Sequence, residues 1–389
     1  MLYDFFAGVI AGVLGAIPFL HTNTLLQFFR GTFSGTLETA VFVVALSFSH
    51  LVFETVPSLF LFLPSENQSV NVLPNQKMVL EGKGNYALKT IVLSIIAAVS
   101  ATALLGPLLS LFMPAVNSLL SPYFKYVFLL VILLYFVSDD NRRKMLLGIG
   151  VFVLSGIFAY LVFSVPLVKE PLFPLLAGFF GVPAILAAGK GAKIEIGKKD
   201  EKIAFGKKEW MLVLLSVPMG LLSTLFPALS VSILLSIAFM FLENDAKSFV
   251  VLGPAIAASK MLSDFFSSVS IGKSRSMVAV FTGELTRTHG TELSLVILAF
   301  TALSAAALSS LALLGAYGKI VEAAVKIEIE KLRIIAFVVI VAFILFMGGF
   351  EALFVLSVSA SIGMLPMLLK IRRGYAVGAL MLPSLVYLF

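Results

Sequence analysis

Long apolar runs constrain this chain more than any motif does. A helix needs about 20 consecutive, mostly apolar residues to cross a bilayer. Runs near that length lie at about 5–29, 39–63, 87–113, 123–138, 145–165 and 171–188, and again at 211–242, 248–270, 292–316, 333–347 and 349–369. Shorter ones fall at 277–290 and 374–389. The runs are continuous rather than alternating, which excludes an outer-membrane barrel. The pattern predicts an all-α polytopic membrane protein of about 12 helices.

Composition agrees. The 389 residues are 60% apolar and only 13% charged, with a mean hydropathy of +1.06. A soluble domain is about 45–50% apolar and about 25% charged. So little charged surface excludes a soluble enzyme, a nucleic-acid-binding domain and a disordered chain. There is no cysteine, hence no disulfide, thiolate metal site or thiol nucleophile. The opening Met1-Leu-Tyr-Asp-Phe-Phe lacks a basic region, so the first span is expected to serve as its own insertion signal.

The formal charge of +7 sits mostly in short loops, where Lys and Arg set orientation. If each run crosses once and the polar stretch 189–209 is cytoplasmic, 22 of the 28 Lys and Arg fall inside. Only Arg30, Lys125, Lys169, Lys247 and Arg287 fall outside, and Lys260 lies within a span. This count predicts a multi-pass protein of the cell membrane with its N-terminus and central linker both cytoplasmic.

That linker divides the chain into membrane repeats 1–188 and 210–389, joined by basic residues 189–209. Ala11-Gly-Val-Leu-Gly-Ala-Ile-Pro18 aligns with Gly220-Leu-Leu-Ser-Thr-Leu-Phe-Pro227, an offset of 209. Ser49, His50, Glu54 and Ser58 align with Ser259, Lys260, Asp264 and Ser268, an offset of 210. The pattern is Ser, then His or Lys, an acid four residues on, and Ser four further. Duplicated halves are common in secondary transporters. The charge count gives parallel repeats; inverted ones need an odd number of crossings per half.

Proline removes a backbone donor and clashes with the preceding turn. Helix breaks are therefore expected at Pro18 and Pro227. Each restarted half-helix would aim unpaired N–H groups and a positive dipole end at its surroundings. His21, Thr22 and Asn23 add donors in the first repeat, and Ser230 and Ser232 do so in the second. Together they form a candidate anion site; proline kinks held by packing are the other reading.

His50 and Glu54, like Lys260 and Asp264, are spaced i,i+4 on one helix face. Ionisable groups inside a span usually face the bundle interior or a water path. Lys260 and Asp264 can neutralise each other, whereas His50 and Glu54 can do so only when the imidazole is protonated. Both pairs are candidates for coupling or gating, or are structural ion pairs. Glu66, Asn67 and Lys83, in the polar segment from Pro64 to Asn85, and Arg275 are candidate functional loop residues. No His-Glu-x-x-His or phosphate-loop pattern is present, so neither an enzyme nor a nucleotide-driven pump is expected. No cofactor or metal is called for beyond a coupling ion, Na+ or H+.

These residues resemble the TctA family, the large membrane subunit of tripartite tricarboxylate transporters, and most closely its stand-alone archaeal branch. The resemblance rests on Gly15-Ala-Ile-Pro18-Phe-Leu-His21-Thr-Asn23, on Val56-Pro57-Ser58 with Leu73-Pro74 and Glu81-Gly-Lys-Gly-Asn-Tyr-Ala-Leu88, and on Gly272-Lys-Ser-Arg275-Ser276. It implies a 12-span, ion-driven permease for carboxylates. In the bacterial systems this works with a small membrane subunit and a soluble solute-binding protein. Phe19 and Ala228 depart from the family's glycine after each proline. The expected function is ion-coupled transport of a small organic anion; the alternative is translocation of a polyprenyl-phosphate or similar anionic lipid. The bilayer is a partner, nucleic acid is not, and an oligomer is left open.

Overall fold

The computed structural model describes residues 1–17, 22, 25–26, 36–60, 77–79, 81–139, 141–165, 168, 171–187, 203–226, 229–243, 245–274, 276–283, 289–326 and 329–388. Among these there are helices and no strands.

In chain order, α1 is Leu2–Gly12, prolonged by a 3-10 turn Val13–Ala16; α2 is Thr36–Phe53, α3 Thr55–Phe60 and α4 Gly84–Leu120. Next come α5 (Phe124–Val137), α6 (Arg142–Ser164), α7 (Leu172–Leu176), a π turn Ala177–Gly181 and α8 (Val182–Ala187). The second half supplies α9 (Lys207–Leu225), α10 (Val231–Ala238), α11 (Ala246–Ser270), α12 (Met277–Val280) and α13 (Thr291–Gly315). It ends with α14 (Tyr317–Lys326), α15 (Ile329–Leu368), a 3-10 turn Arg373–Val377 and α16 (Gly378–Leu388).

Seven described runs are long and apolar enough to cross a membrane: Leu37–Phe60, Gly84–Val137, Arg142–Ser164, Lys207–Leu225, Ala246–Ser270, Thr291–Gly315 and Gly348–Leu368. Three shorter apolar helical runs add Leu2–Ala16, Leu172–Gly181 and Arg333–Phe346. At 54 residues, Gly84–Val137 is too long for one crossing, and a 3-10 turn at Ser121–Tyr123 interrupts it. The short run 277–290 carries only the four-residue α12 among its first described residues.

The residues cluster into two compact units, and each draws on both halves of the chain. The first comprises Met1–Ser121 with Lys193–Lys326, and the second Pro122–Ala192 with Ile327–Phe389.

Close backbone approach organises the first unit. A Cβ on Gly8 would lie 2.5 Å from the Phe42 carbonyl, one on Gly12 would lie 2.3 Å from the Ser49 Cβ, and one on Gly15 would lie 2.5 Å from the His50 carbonyl. These contacts rise in number together along both helices, so α1 and α2 run parallel. The Ser49 hydroxyl donates to the Val9 carbonyl at 2.7 Å across the same seam. In the second half, Lys208 binds Glu243 at 2.8 Å and Asp245 at 2.7 Å, while a Cβ on Gly220 would lie 2.6 Å from the Ser259 carbonyl carbon. Hence α9 and α11 are also parallel, and segment 226–245 must return the chain. Asp245 caps α11 by accepting from the Ser248 N–H at 2.9 Å. Burial alone would raise the Asp245 carboxyl, but its hydrogen bonds from Lys208 and Ser248 hold it at about 2.

The direction of one repeat relative to the other follows from α4. Backbone hydrogen bonds continue α2 into α3 through Glu54 N–H to the His50 carbonyl, and Phe60 at the end of α3 packs at Gly84, where α4 begins. So α4 runs opposite to α2. Thr102 donates to Ser259 at 2.9 Å, Gly106 faces Phe266, and Lys273 donates to Asn117 at 2.8 Å. So α4 runs parallel to α11. The equivalent helices α2 and α11 are therefore antiparallel, and the repeats are inverted.

This corrects the parallel arrangement deduced from charge. That count took each apolar run as one crossing with alternating direction, but α1 and α2 run the same way. It also corrects the placement of N-terminus and linker on one side. The starts of α1 and α9 lie at opposite ends of the first unit.

The second unit is packed on glycines as well. Gly156 of α6 faces the Gly378 carbonyl and Leu382 of α16, Gly178 faces Ser359, and Gly363 lies on the Phe179 backbone. Arg372 donates to the Ser138 hydroxyl at 2.6 Å and the Ser138 carbonyl at 2.5 Å, and Tyr375 donates to Asp139 at 3.1 Å. The π turn ends two residues before Pro183, which cannot supply an N–H to the ladder. Gly349, at φ 68°, kinks α15.

Candidate functional site

The helix before each proline breaks as the sequence predicts. The residue preceding a proline is driven into extended backbone by clash with the proline ring. Ile17 stands at φ −88°, ψ 117°, and Phe226 at φ −112°, ψ 131°. In the second repeat the chain restarts as α10. Its N-cap Ser230 accepts from the Ile233 N–H at 3.3 Å, so this predicted ligand already serves the helix end. Ser232 is half-buried in the first turn of α10. Thr22 is a half-buried helical residue. Pro18, His21, Asn23 and Pro227 lie outside the described residues, as do Glu66, Asn67 and Arg275. Lys83 precedes α4 at the surface, 3.5 Å from Glu81.

Each break sits beside a buried acid from the helix packed on it. Gly15 lies against the His50 backbone, two residues before Ile17, and Glu54 follows His50 by one turn. Gly220 lies against Ser259 and Lys260, six residues before Phe226, and Asp264 follows Lys260 by one turn. Glu54 is 4% exposed and Asp264 is 5% exposed, both inside apolar spans. The same register thus places one carboxylate near each break.

Each acid has a described polar neighbour. His50 Nδ1 lies 3.8 Å from Glu54 Oε2, with both side chains buried. Asp264 Oδ2 accepts from the Ser276 hydroxyl at 2.5 Å, while Lys260 is partly exposed. Ser276 belongs to the Gly272–Ser276 string, but spacing alone gave no sign that it reaches back twelve residues to Asp264. A second group absent from the sequence reading is a buried hydroxyl cluster. Ser259 accepts from Thr102, lies 2.8 Å from the Ser216 oxygen, and joins α4, α9 and α11. Nothing in the sequence pairs these three, which come from separate helices.

The family model of the tripartite tricarboxylate transporter TctA family matches residues 2–378. The chain belongs to the TctA family. Membership makes it a multi-pass membrane protein of a transport family, as its sequence motifs predicted. The match offers nothing for the lipid-carrier alternative. An uncharacterized protein of Methanocaldococcus jannaschii is 25% identical over 284 residues, covering 70% of each chain. No solved structure matches this TctA-family chain at a significant level.

Proposed function

We propose that this TctA-family protein is an ion-coupled secondary transporter of a small organic anion, a carboxylate, bound between the two interrupted helices of its inverted repeats. The observation that carries the reading is the shared register of helix break and buried acid. A broken helix exposes N–H groups and a dipole end that favour an anion, while a carboxylate nearby takes a cation. Glu54 and Asp264, with His50 and Lys260, act in coupling or gating. His21, Asn23 and the backbone after Pro18 bind the anion, and Ser230 and Ser232 approach from the other repeat. Companion subunits, as the word tripartite in the family's description implies, complete the system.

The test is uptake of labelled citrate and succinate by the protein in liposomes. His21→Ala is expected to weaken apparent affinity by the worth of a charge-assisted hydrogen bond, about 10- to 100-fold. Replacing Lys198 and Lys199 by Ala leaves it unchanged. Unchanged affinity in His21→Ala, with binding lost on mutation elsewhere, removes this site.

We also place the Lys207 end of the first unit in the cytoplasm and the Met1 end outside. Described Lys77, Lys83, Lys89, Lys207, Lys208, Lys247 and Lys319 gather at the former end, against Lys273 at the latter. The absence of cysteine makes the check direct. Exposed Tyr3→Cys is expected to react with a membrane-impermeant maleimide added to intact cells, and Lys207→Cys only after lysis. Labelling of both from one side overturns the assignment.

A further inference from the structure

Three stretches of the second unit end at one place. α5 finishes at Val137, α6 begins at Arg142, and the apolar run Gly348–Leu368 closes just before the 3-10 turn Arg373–Val377. Arg372 joins them. Its guanidinium donates to the Ser138 hydroxyl and carbonyl and lies 3.8 Å from Asp139, which also accepts from the Tyr375 hydroxyl. Gly148, in the second turn of α6, lies on the Tyr375 ring with no room for a Cβ. Segments 138–144 and 370–375 are thus held side by side.

Their charge is one-sided. The two segments carry Arg142, Arg143, Lys144, Lys370, Arg372 and Arg373 against Asp139 and Asp140, six cations to two acids and a net +4. Asp139 meets Arg372, and Asp140 lies outside the described residues. Arg142, Arg143, Lys144, Lys370 and Arg373 are exposed and make no ion pair among the described residues. Like charges gathered this closely repel one another, and an anion brought among them lowers that energy. Exposed Val137, Leu146, Leu368 and Leu369 flank the cations in the chain. At the ends of apolar spans such side chains face hydrocarbon, so the charges just beyond them stand at headgroup depth.

We propose that this end of the second unit binds the phosphate headgroup of an anionic membrane lipid. Each arginine's planar fork can pair two N–H groups with phosphate oxygens, and the lysines add compact point charges. The lipid's chains lie along the flanking leucines and valine, contacts that a soluble phosphate cannot make. A basic cluster just outside a span attracts anionic lipid by about fivefold in affinity per cation. The surface stands apart from the transporter reading, since it uses none of the residues assigned there to the anion or to coupling.

The experiment uses the full chain in detergent, stripped of lipid and then given phosphatidylglycerol or phosphatidylcholine, with binding read by native mass spectrometry and by thermal melting. The variant is Arg142→Gln with Arg143→Gln, Lys370→Gln and Arg373→Gln, which leaves the Arg372 contacts in place. Wild type is expected to bind phosphatidylglycerol in preference to phosphatidylcholine and to melt higher with it. The variant is expected to lose about 100-fold or more in affinity for phosphatidylglycerol and to keep its weak binding of phosphatidylcholine. Replacing Lys77, Lys83, Lys207 and Lys319 of the first unit by Gln removes the same charge and is expected to leave the preference intact. Equal loss in that control shows an effect of net charge alone and overturns the site, as does undiminished binding in the variant. Displacement of the lipid by millimolar inorganic phosphate assigns the cluster to a soluble anion and overturns the lipid. If the variant does not fold, salt decides on wild type: sodium chloride is expected to weaken phosphatidylglycerol binding and not that of phosphatidylcholine, and equal response of the two overturns the proposal.

Discussion

Asp264→Asn is expected to stop transport while leaving the protein folded. Asparagine has nearly the shape of aspartate and keeps an oxygen to accept from Ser276, so packing around this 5%-exposed side chain survives. What is lost is the charge, in a setting where screening by water is weak. Liposome uptake is expected to fall about 100-fold or more, the upper range for losing a charged hydrogen-bonding partner. Ser276→Ala keeps the carboxylate but removes its donor, and is expected to cost about tenfold, the lower end of the same range. A wild-type rate in Asp264→Asn, with gel filtration confirming folded protein, takes Asp264 out of the mechanism.

Gly220→Val is expected to prevent accumulation of folded protein. The new Cβ alone would lie 2.6 Å from the Ser259 carbonyl carbon and 2.7 Å from the Lys260 nitrogen. Both are backbone atoms inside α11, so no rotamer change relieves the clash. Overpacking a well-filled core costs about 1–3 kcal/mol where side chains can shift, and more where they cannot. Separation of α9 from α11 would also pull Ser216 away from Ser259. Gly150→Val in α6 is the control, since a Cβ there meets nothing within 4 Å. Its fluorescence-detected gel-filtration peak is expected to match wild type while that of Gly220→Val disappears. Equal peaks would show that the α9–α11 seam can open without loss of the fold.

Glycine and serine positions explain how the repeat could be seen in the sequence at all. Gly12 meets Ser49 in one half and Gly220 meets Ser259 in the other. A small residue on each side is required for the backbones to approach so closely, and such pairs recur at helix interfaces in membranes. The alignments at offsets 209 and 210 were therefore reading a packing seam. The partner of Asp264 was not legible in this way. Ser276 reaches it only because the chain turns after α11 at Gly272, φ 65°, and comes back toward the helix.

What the sequence by itself determined are properties set within a few residues. Apolar runs of spanning length require helices in a bilayer, where each backbone group must find its partner within the helix. Pro18 and Pro227 set the extended conformation of Ile17 and Phe226 through steric clash with their nearest neighbour. The direction of the repeats was decided only in the tertiary structure. It depends on which end of α3 meets which end of α4, and on Thr102 finding Ser259 across 157 residues of chain. Loop charges could not supply that direction, because they record on which side a run ends and not whether the chain turned back within it. The contact of Ser276 with Asp264 was decided there too, since that hydroxyl arrives from beyond the helix end.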